Sequence, residues 1–235
     1  MNWAVWILFF MLLTGMYASV KTKRLTIVAA LTGGLLSILI YAGAGFTGIA
    51  MIAAFFVLGT VVTSWQIKKK EWLMIAEKNY GKREWTQVAA NACMAALISL
   101  IAFLFPEHNL LWHLMIAASF SSATADTLSS ELGNIYGKRF YNILTFRKDT
   151  RGLDGVISLE GTLCGVAGSL VIAVIYCIGF VPDGYLFFVV VIAGTIGNLF
   201  DSILGAAFQR AEYLNNDAVN FLNTMIAALI AALLW

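Results

Sequence analysis

Asp126, Glu131, Glu160 and Asp201 stand in or beside long apolar runs, where a charge is costly. An ionised carboxylate at the centre of a bilayer costs at least about 2.5–3.5 kcal/mol, so such residues are functional candidates by default. Near a membrane interface the cost falls, and solvation of a helix end becomes the competing explanation. Spacing helps to separate the two. Asp126, Ser129, Gly133 and Gly137 recur at i, i+3, i+7 and i+11, a single helical stripe. Gly197, Asp201, Gly205 and Gln209 recur at steps of four. Asn216, Asn220 and Asn223 form a third ridge, and Arg83, Gln87 and Asn91 a fourth. One polar ridge is commonly glue between helices. Four at one depth favour a site.

The loop Arg147-Lys148-Asp149-Thr150-Arg151-Gly152-Leu153-Asp154-Gly155 adds cations and glycines. Basic side chains can hold phosphate oxygens, and glycines let backbone N–H groups turn toward them. Alone, such a loop is equally an anchor for anionic lipid. Beside intramembrane carboxylates it reads as the phosphate half of a magnesium–phosphate site, since Mg2+ takes one or two carboxylates and completes its shell with phosphates and water. Asp126 and Asp201 lead as ligands, with Glu131, Asp154 and Glu160 behind them. Ser158-Leu159-Glu160-Gly161-Thr162 carries the loop into the next helix.

The elements that must hold these residues follow from composition. Of 235 residues, 60% are hydrophobic and 12% charged, with a mean hydropathy of +0.84. Soluble domains carry about 25% charged residues, so lipid is the solvent here. A formal net charge of +2 gives no reason to expect nucleic acid as a partner. Cys93, Cys164 and Cys177 lie in apolar runs without metal-ligand spacing and read as packing residues.

A span needs about 20 mostly apolar residues. That ruler marks residues 2–20, 25–42, 46–67, 85–105, 110–132, 156–181, 185–209 and 216–235. The first has its cations Lys21, Lys23 and Arg24 after the apolar run, unlike a signal peptide. Gly43, Ala44 and Gly45 leave the second and third either a tight hairpin or one broken element. All 15 Lys and Arg residues fall in the odd-numbered connections. The positive-inside rule then sets those connections in the cytoplasm and both termini outside. The expectation is an all-α polytopic transmembrane helical bundle of about eight spans. It forms a single integral membrane domain over residues 1–235, with cytoplasmic loops at 68–84 and 133–154. The location is the inner membrane of a prokaryotic cell, with the active site on the cytoplasmic side. Residues 68–84 surround Trp72, Leu73, Met74 and Ile75 with charge and read as a helix along the membrane surface.

A weak repeat is also visible. Asp126-Thr127-Leu128 is echoed by Asp201-Ser202-Ile203, and each precedes a D-x-V-x-x-L pattern, at Asp154, Val156, Leu159 and at Asp217, Val219, Leu222. Duplicated parallel helix pairs would bring the two Asp residues to one interface.

Gly81-Lys82-Arg83 with Gln87 and Asn91, then Ala125-Asp126-Thr127-Leu128-Ser129-Ser130-Glu131-Leu132-Gly133, resembles the transmembrane protein 19 family. So do Asp201-Ser202-Ile203-Leu204-Gly205-Ala206 and Asn215-Asn216-Asp217-Ala218-Val219-Asn220. The likeness runs from about Gly33 to the C-terminus. It implies the activity of the family's plant phytyl phosphate kinase, phosphorylation of a prenyl monophosphate by a nucleoside triphosphate, with CTP favoured. Asp126, Ser129, Gly133 and Gly137, followed by Glu160-Gly161-Thr162, are more distantly similar to the CTP-binding pattern of dolichol kinases and phosphatidate cytidylyltransferases. The chain departs from these patterns at Gly155-Val156, where the family shows a Gly-Gly pair. It also departs in carrying its cations upstream, at Arg147, Lys148 and Arg151, where dolichol kinases have Lys-Thr before the Glu-Gly.

The reading is a prenyl-monophosphate kinase with Mg2+ at Asp126, Asp201 and Glu131. Arg83, Lys148 and Arg151 neutralise charge on the transferred group. The nucleotide lies along Ser129, Gly133, Gly137, Arg147, Gly152, Asp154, Gly155, Ser158, Glu160, Gly161 and Thr162. The lipid lies along Gln87, Asn91, Gln209, Asn216 and Asn220. A lipid-phosphate cytidylyltransferase and a lipid-phosphate transporter are the alternatives, and oligomeric state is left open.

Overall fold

A computed structural model of the chain describes residues 3–74 and 81–235. Its long helices are Trp3–Lys21 (α1), Ile27–Ser64 (α2), Trp85–Leu104 (α4), Asn109–Tyr136 (α5), Leu159–Gly179 (α6), Gly184–Leu204 (α7) and Asn216–Leu233 (α8), with a short α3 at Ile67–Trp72. Many of these starts are set by a side chain that satisfies an orphan N–H of the first turn. Thr26, Ser158, Asp183 and Asn215 each accept from the amide three residues on. Glu84 and Gln87 form a reciprocal capping box at α4.

The chain is an all-α polytopic membrane protein. Among the described residues, six helices are long and apolar enough to cross a membrane. The helix α5, with 28 residues, is about 42 Å long, enough to cross a bilayer. Its run of Ala, Ser and Thr is too polar to face lipid, and α2, α4, α6, α7 and α8 enclose it.

The helix α2 resolves the ambiguity at Gly43-Ala44-Gly45. Gly45 has φ +58° and ψ −152°, so the axis reverses there. Arg24 Nη1 donates to Ser64 Oγ at 2.5 Å, which brings the approach to the first half beside the end of the second. The element is a hairpin whose halves, residues 27–44 and 46–64, each give about 27 Å of helix. Counted twice, it brings the crossings to eight.

The basic connections gather at one end. The backbones of Leu25 and Arg83 form a parallel bridge, with Arg83 N donating to Arg24 O at 2.9 Å and Thr26 N to Arg83 O at 3.2 Å. At the opposite end His113 Nε2 lies 2.9 Å from Gly43 O and its ring stacks on Phe180.

Between residues 68 and 84, α3 is followed by Leu73 and Met74, and the strongly exposed Trp72 and Met74 suit a membrane surface. Residues 75–80 of that expected surface helix, with Ile75 and Lys78, lie outside the described residues. The connection read as an irregular loop over 133–154 has more order than that. The helix α5 continues to Tyr136, and Tyr141–Asn142 (β1) pairs antiparallel with Val156–Ile157 (β2). At its C-terminal end α7 passes into a π-turn at Gly205–Gln209.

The Gly45 turn uses a backbone region that is essentially reserved for glycine and costs other residues about 1–3 kcal/mol. An added Cβ meets nothing within 4 Å at Gly45 or at Gly184. Thermal unfolding in detergent should therefore show Gly45→Ala destabilised by about that amount through strain alone. Gly184→Ala should be unchanged, and equal stability of the two variants would contradict the turn.

Candidate functional site

The site is built where α5 and α6 nearly touch. Gly161, Gly165 and Gly168 run along one face of α6. An added methyl at these positions would stand 2.9 Å from Ser129 O, 3.0 Å from Ala125 O and 3.1 Å from Thr124 O. Two backbones this close need small residues. Gly133 belongs to the same crossing, since its Cβ would meet Gly161 Cα at 2.8 Å. Gly137 is closed off by Phe140 and Ser158, so the glycines of this stripe serve helix packing.

At the basic end of that crossing lies a polar cavity of about 160 Å³. From α5 it is lined by Asp126, Ser129, Ser130, Gly133 and Asn134, and from the β1–β2 connection by Phe140 and residues 152–158. Asn198, Asp201 and Ser202 come from α7, Gly205 and Gln209 from the π-turn, and Asn216 from the start of α8.

Asp201 is held from α8. Asn223 Nδ2 donates to its Oδ2 at 2.7 Å, and Asn223 Oδ1 accepts from Ser122 at 3.0 Å. The carboxyl group of Asp126 lies within hydrogen-bonding reach of Asp201. Two carboxyl groups so placed require either a shared proton or a cation between them. The weak repeat led to the expectation that these two acids lie at one interface, and both line this cavity.

The loop is pinned over the cavity by Arg210. Its Nε donates to Asp154 O at 2.5 Å, and its Nη1 pairs with Asp149 Oδ2 at 2.9 Å. The Thr150 amide, first, and then Arg210 hold the Asp149 carboxyl below its usual range. Loss of water pushes the Asp154 carboxyl up, and Arg210 opposes this. Gly155, with φ +71°, lies flat against the end of α7, where a Cβ would come within 2.5 Å of Ser202 O and Ala206 N.

Asp126, Asp201, Ser129, Gly133, Gly152, Asp154, Gly155, Ser158, Gln209 and Asn216 are thus brought together as expected. Arg151 stands behind this wall, its guanidinium 4.6 Å from the Phe140 ring centre and bonded to Gly137 O at 3.1 Å. Other candidates have different occupations. Arg147 and Lys148 are exposed and do not line the cavity. Glu160 Oε2 accepts from Lys138 N, Thr162 bonds Ser158 O within its own helix, and Gly161 packs on α5. Gln87 caps α4, Asn91 bonds Gln87 O, and Asn220 is buried in α8 outside the lining. Arg83 lies over Phe55, against the hairpin. Among the described residues, no three His, Cys, Asp or Glu side chains form a group able to hold a metal ion. Of the lining acids, Asp126 and Asp201 are the two that could hold a cation between them.

Residues 9–228 match the family described as Integral membrane protein DUF92. The chain belongs to that family. It is 37% identical over 233 residues to Protein VTE6, chloroplastic, of Arabidopsis thaliana, covering 95% of this chain and 66% of that one. It is 39% identical over 199 residues to an uncharacterized membrane protein of Synechocystis sp., covering 83% and 77% of the two chains. A third relative is an uncharacterized membrane protein of Methanocaldococcus jannaschii, 33% identical over 198 residues and covering 81% and 77%. No solved structure matches.

Glu131 of this DUF92 chain was expected among the metal ligands, and the structure gives it another partner. It lies i+5 from Asp126, which turns it to a different face of α5. There it forms a buried ion pair with Lys70, whose Nζ also donates to Val62 O at 2.7 Å and Thr63 O at 3.1 Å. Lys70, read from the sequence as a surface cation, is 1% exposed. It ties the end of the hairpin to the inner end of α5.

Removing one partner of a buried pair leaves an uncompensated charge, at about 3–5 kcal/mol, whereas removing both is often close to neutral. Lys70→Met alone should destabilise the protein by about that amount. Lys70→Met with Glu131→Leu should recover most of it in thermal unfolding, and additive losses would contradict the pairing.

Proposed function

We propose that the chain is a kinase of isoprenoid monophosphates that takes the γ-phosphate of a nucleoside triphosphate, CTP by preference, and gives the lipid diphosphate. The observation that carries this reading is the meeting of Asp126 and Asp201, from two spans, inside a cavity roofed by a glycine-bearing loop. Membership of the DUF92 family with VTE6 and the resemblance to phytyl phosphate kinases support the same chemistry. The basic end would face the cytoplasm, where nucleotide is available.

Asp126 and Asp201 would hold Mg2+, with Asp154 above them. When bound, the ion would offset the negative charge of the phosphates. Backbone N–H groups around Gly152 and Gly155 would meet phosphate oxygens, and Arg151, stacked on Phe140, would supply positive charge at the wall. Ser129, Asn134, Gln209 and Asn216 offer hydroxyl and amide groups for the nucleotide and the lipid phosphate. An oxygen of the lipid monophosphate attacks the γ-phosphorus in line, the bond to the bridging oxygen breaks, and CDP departs with that electron pair. The nucleophile is already anionic, so no general base is needed and the protein's contribution is positioning and charge.

Purified protein in detergent, incubated with geranylgeranyl monophosphate, CTP and Mg2+, should release CDP and form the diphosphate. Release of pyrophosphate with CMP left on the lipid would instead mark a cytidylyltransferase. Asp126→Asn and Asp201→Asn should each lose about a hundredfold or more in kcat. Undiminished turnover in either would overturn the assignment.

A further inference from the structure

Two carboxylates leave most of a divalent cation's shell to other donors, and the cavity wall holds one residue that has no part so far. Asn198 lies on α7 three residues before Asp201, which sets both side chains on one face of that helix. It is 4% exposed and lines the cavity. Among the described residues its carboxamide has no hydrogen-bond partner. Asp201 takes its hydrogen bonds from Asn223 and Asp126 instead.

The amide is set in place from α6. Gly165 packs there without a side chain, and an added methyl would stand 2.7 Å from Asn198 Nδ2, 3.0 Å from Ala125 O and 3.2 Å from Ser129 Cβ. Asn198 is therefore lodged against the turn of α5 that carries Asp126, one turn along α7 from Asp201. With Nδ2 turned to the helix crossing, Oδ1 is the end left for the cavity. Burying a carboxamide without a partner costs free energy, which a ligand at that oxygen recovers.

The residue type suits a cation. Hard divalent ions accept neutral amide oxygens alongside carboxylates. A third carboxylate would add to the repulsion between Asp126 and Asp201. A basic side chain would pair with one of them, as Lys70 does with Glu131. A carboxamide adds an oxygen and no charge.

We propose that Asn198 is a third ligand of the divalent-cation site, its Oδ1 joining the carboxylates of Asp126 and Asp201. This rests on the phosphotransfer reading only in taking those two acids to share a cation.

The test is equilibrium dialysis of Mn2+ against the full chain in detergent, without nucleotide or lipid, with melting temperatures measured in EDTA. Wild type should bind one ion per chain at a site lost in Asp201→Asn. Asn198→Ala should weaken that binding at least about tenfold, no less than the loss of an outer-shell partner costs. Its melting temperature in EDTA should not fall, because the replacement removes a buried amide that lacks a partner. Asn198→Asp keeps an oxygen at the same reach. It should bind Mn2+ at the wild-type level or tighter, and melt lower in EDTA, where three acids meet without an ion. Mn2+ binding as expected, in a protein that forms no lipid diphosphate, would sink the kinase reading and support Asn198 as a ligand. Wild type without saturable Mn2+ binding, unchanged affinity in Asn198→Ala, or an Asn198→Asp protein as weak as Asn198→Ala would overturn the proposal. So would a lowered melting temperature of Asn198→Ala in EDTA, the mark of an amide that serves packing.

Discussion

Two carboxyl groups facing each other at the basic end of membrane helices form an arrangement that the rest of this structure has to stabilise. Water is scarce there, and like charges in contact are unfavourable unless a proton or a cation lies between them. The surrounding protein supplies dipoles in place of solvent. Asn223 donates to Asp201 and is itself oriented by Ser122, so a hydrogen-bonded chain crosses from α5 through α8 to α7. The helix bearing Asp126 is kept out of lipid on every side. Several of its hydroxyls find acceptors on other helices, as Ser121 does at Val190 O and Ser122 at Asn223 Oδ1.

The small residues follow from that burial. Glycines on α6 let its backbone approach α5 closely enough to fix where Asp126 stands relative to the loop. The loop is then fixed at three points: Gly155 against the end of α7, β1 paired with β2, and Arg210 holding Asp149 and Asp154 O. Lys70 works from the opposite side, joining the hairpin end to α5 through Glu131. The cavity is thus defined by contacts that differ in kind, and several of them come from residues with no direct chemical role.

Much of this was legible in the sequence, for physical reasons. Span count and the sidedness of charge are constrained strongly by lipid, and the fold expected from them is the fold observed. The stripes carrying Asp126 and Asp201 could be read because helical periodicity puts i, i+4 and i+7 on one face. The same periodicity is silent about which face a side chain off the stripe will take. Glu131 was therefore grouped with Asp126, although a turn of α5 sends it to Lys70. The ridge of Arg83, Gln87 and Asn91 and the cations of the 147–155 loop put Arg83 and Arg147 into the site as well. Distances between helices and the side of a loop that a cation occupies are tertiary facts, and neither residue reaches the cavity. Lys70 and Arg210 gave the opposite error, because each looked like an ordinary positive-inside cation. Asn198 carried the weakest signal, a lone amide in an apolar run, and it lines the cavity beside Asp201.

The claim under all of this is that Asp126 and Asp201 act on one ion. Manganese can stand in for magnesium and be followed by electron paramagnetic resonance on the purified protein with CTP. If the two acids share an ion, Asp126→Asn and Asp201→Asn should each weaken manganese binding by a similar large factor. The double variant should then be scarcely worse than either single one, the non-additivity of groups in contact. Full additivity, or manganese affinity untouched by one of the replacements, would contradict the shared site.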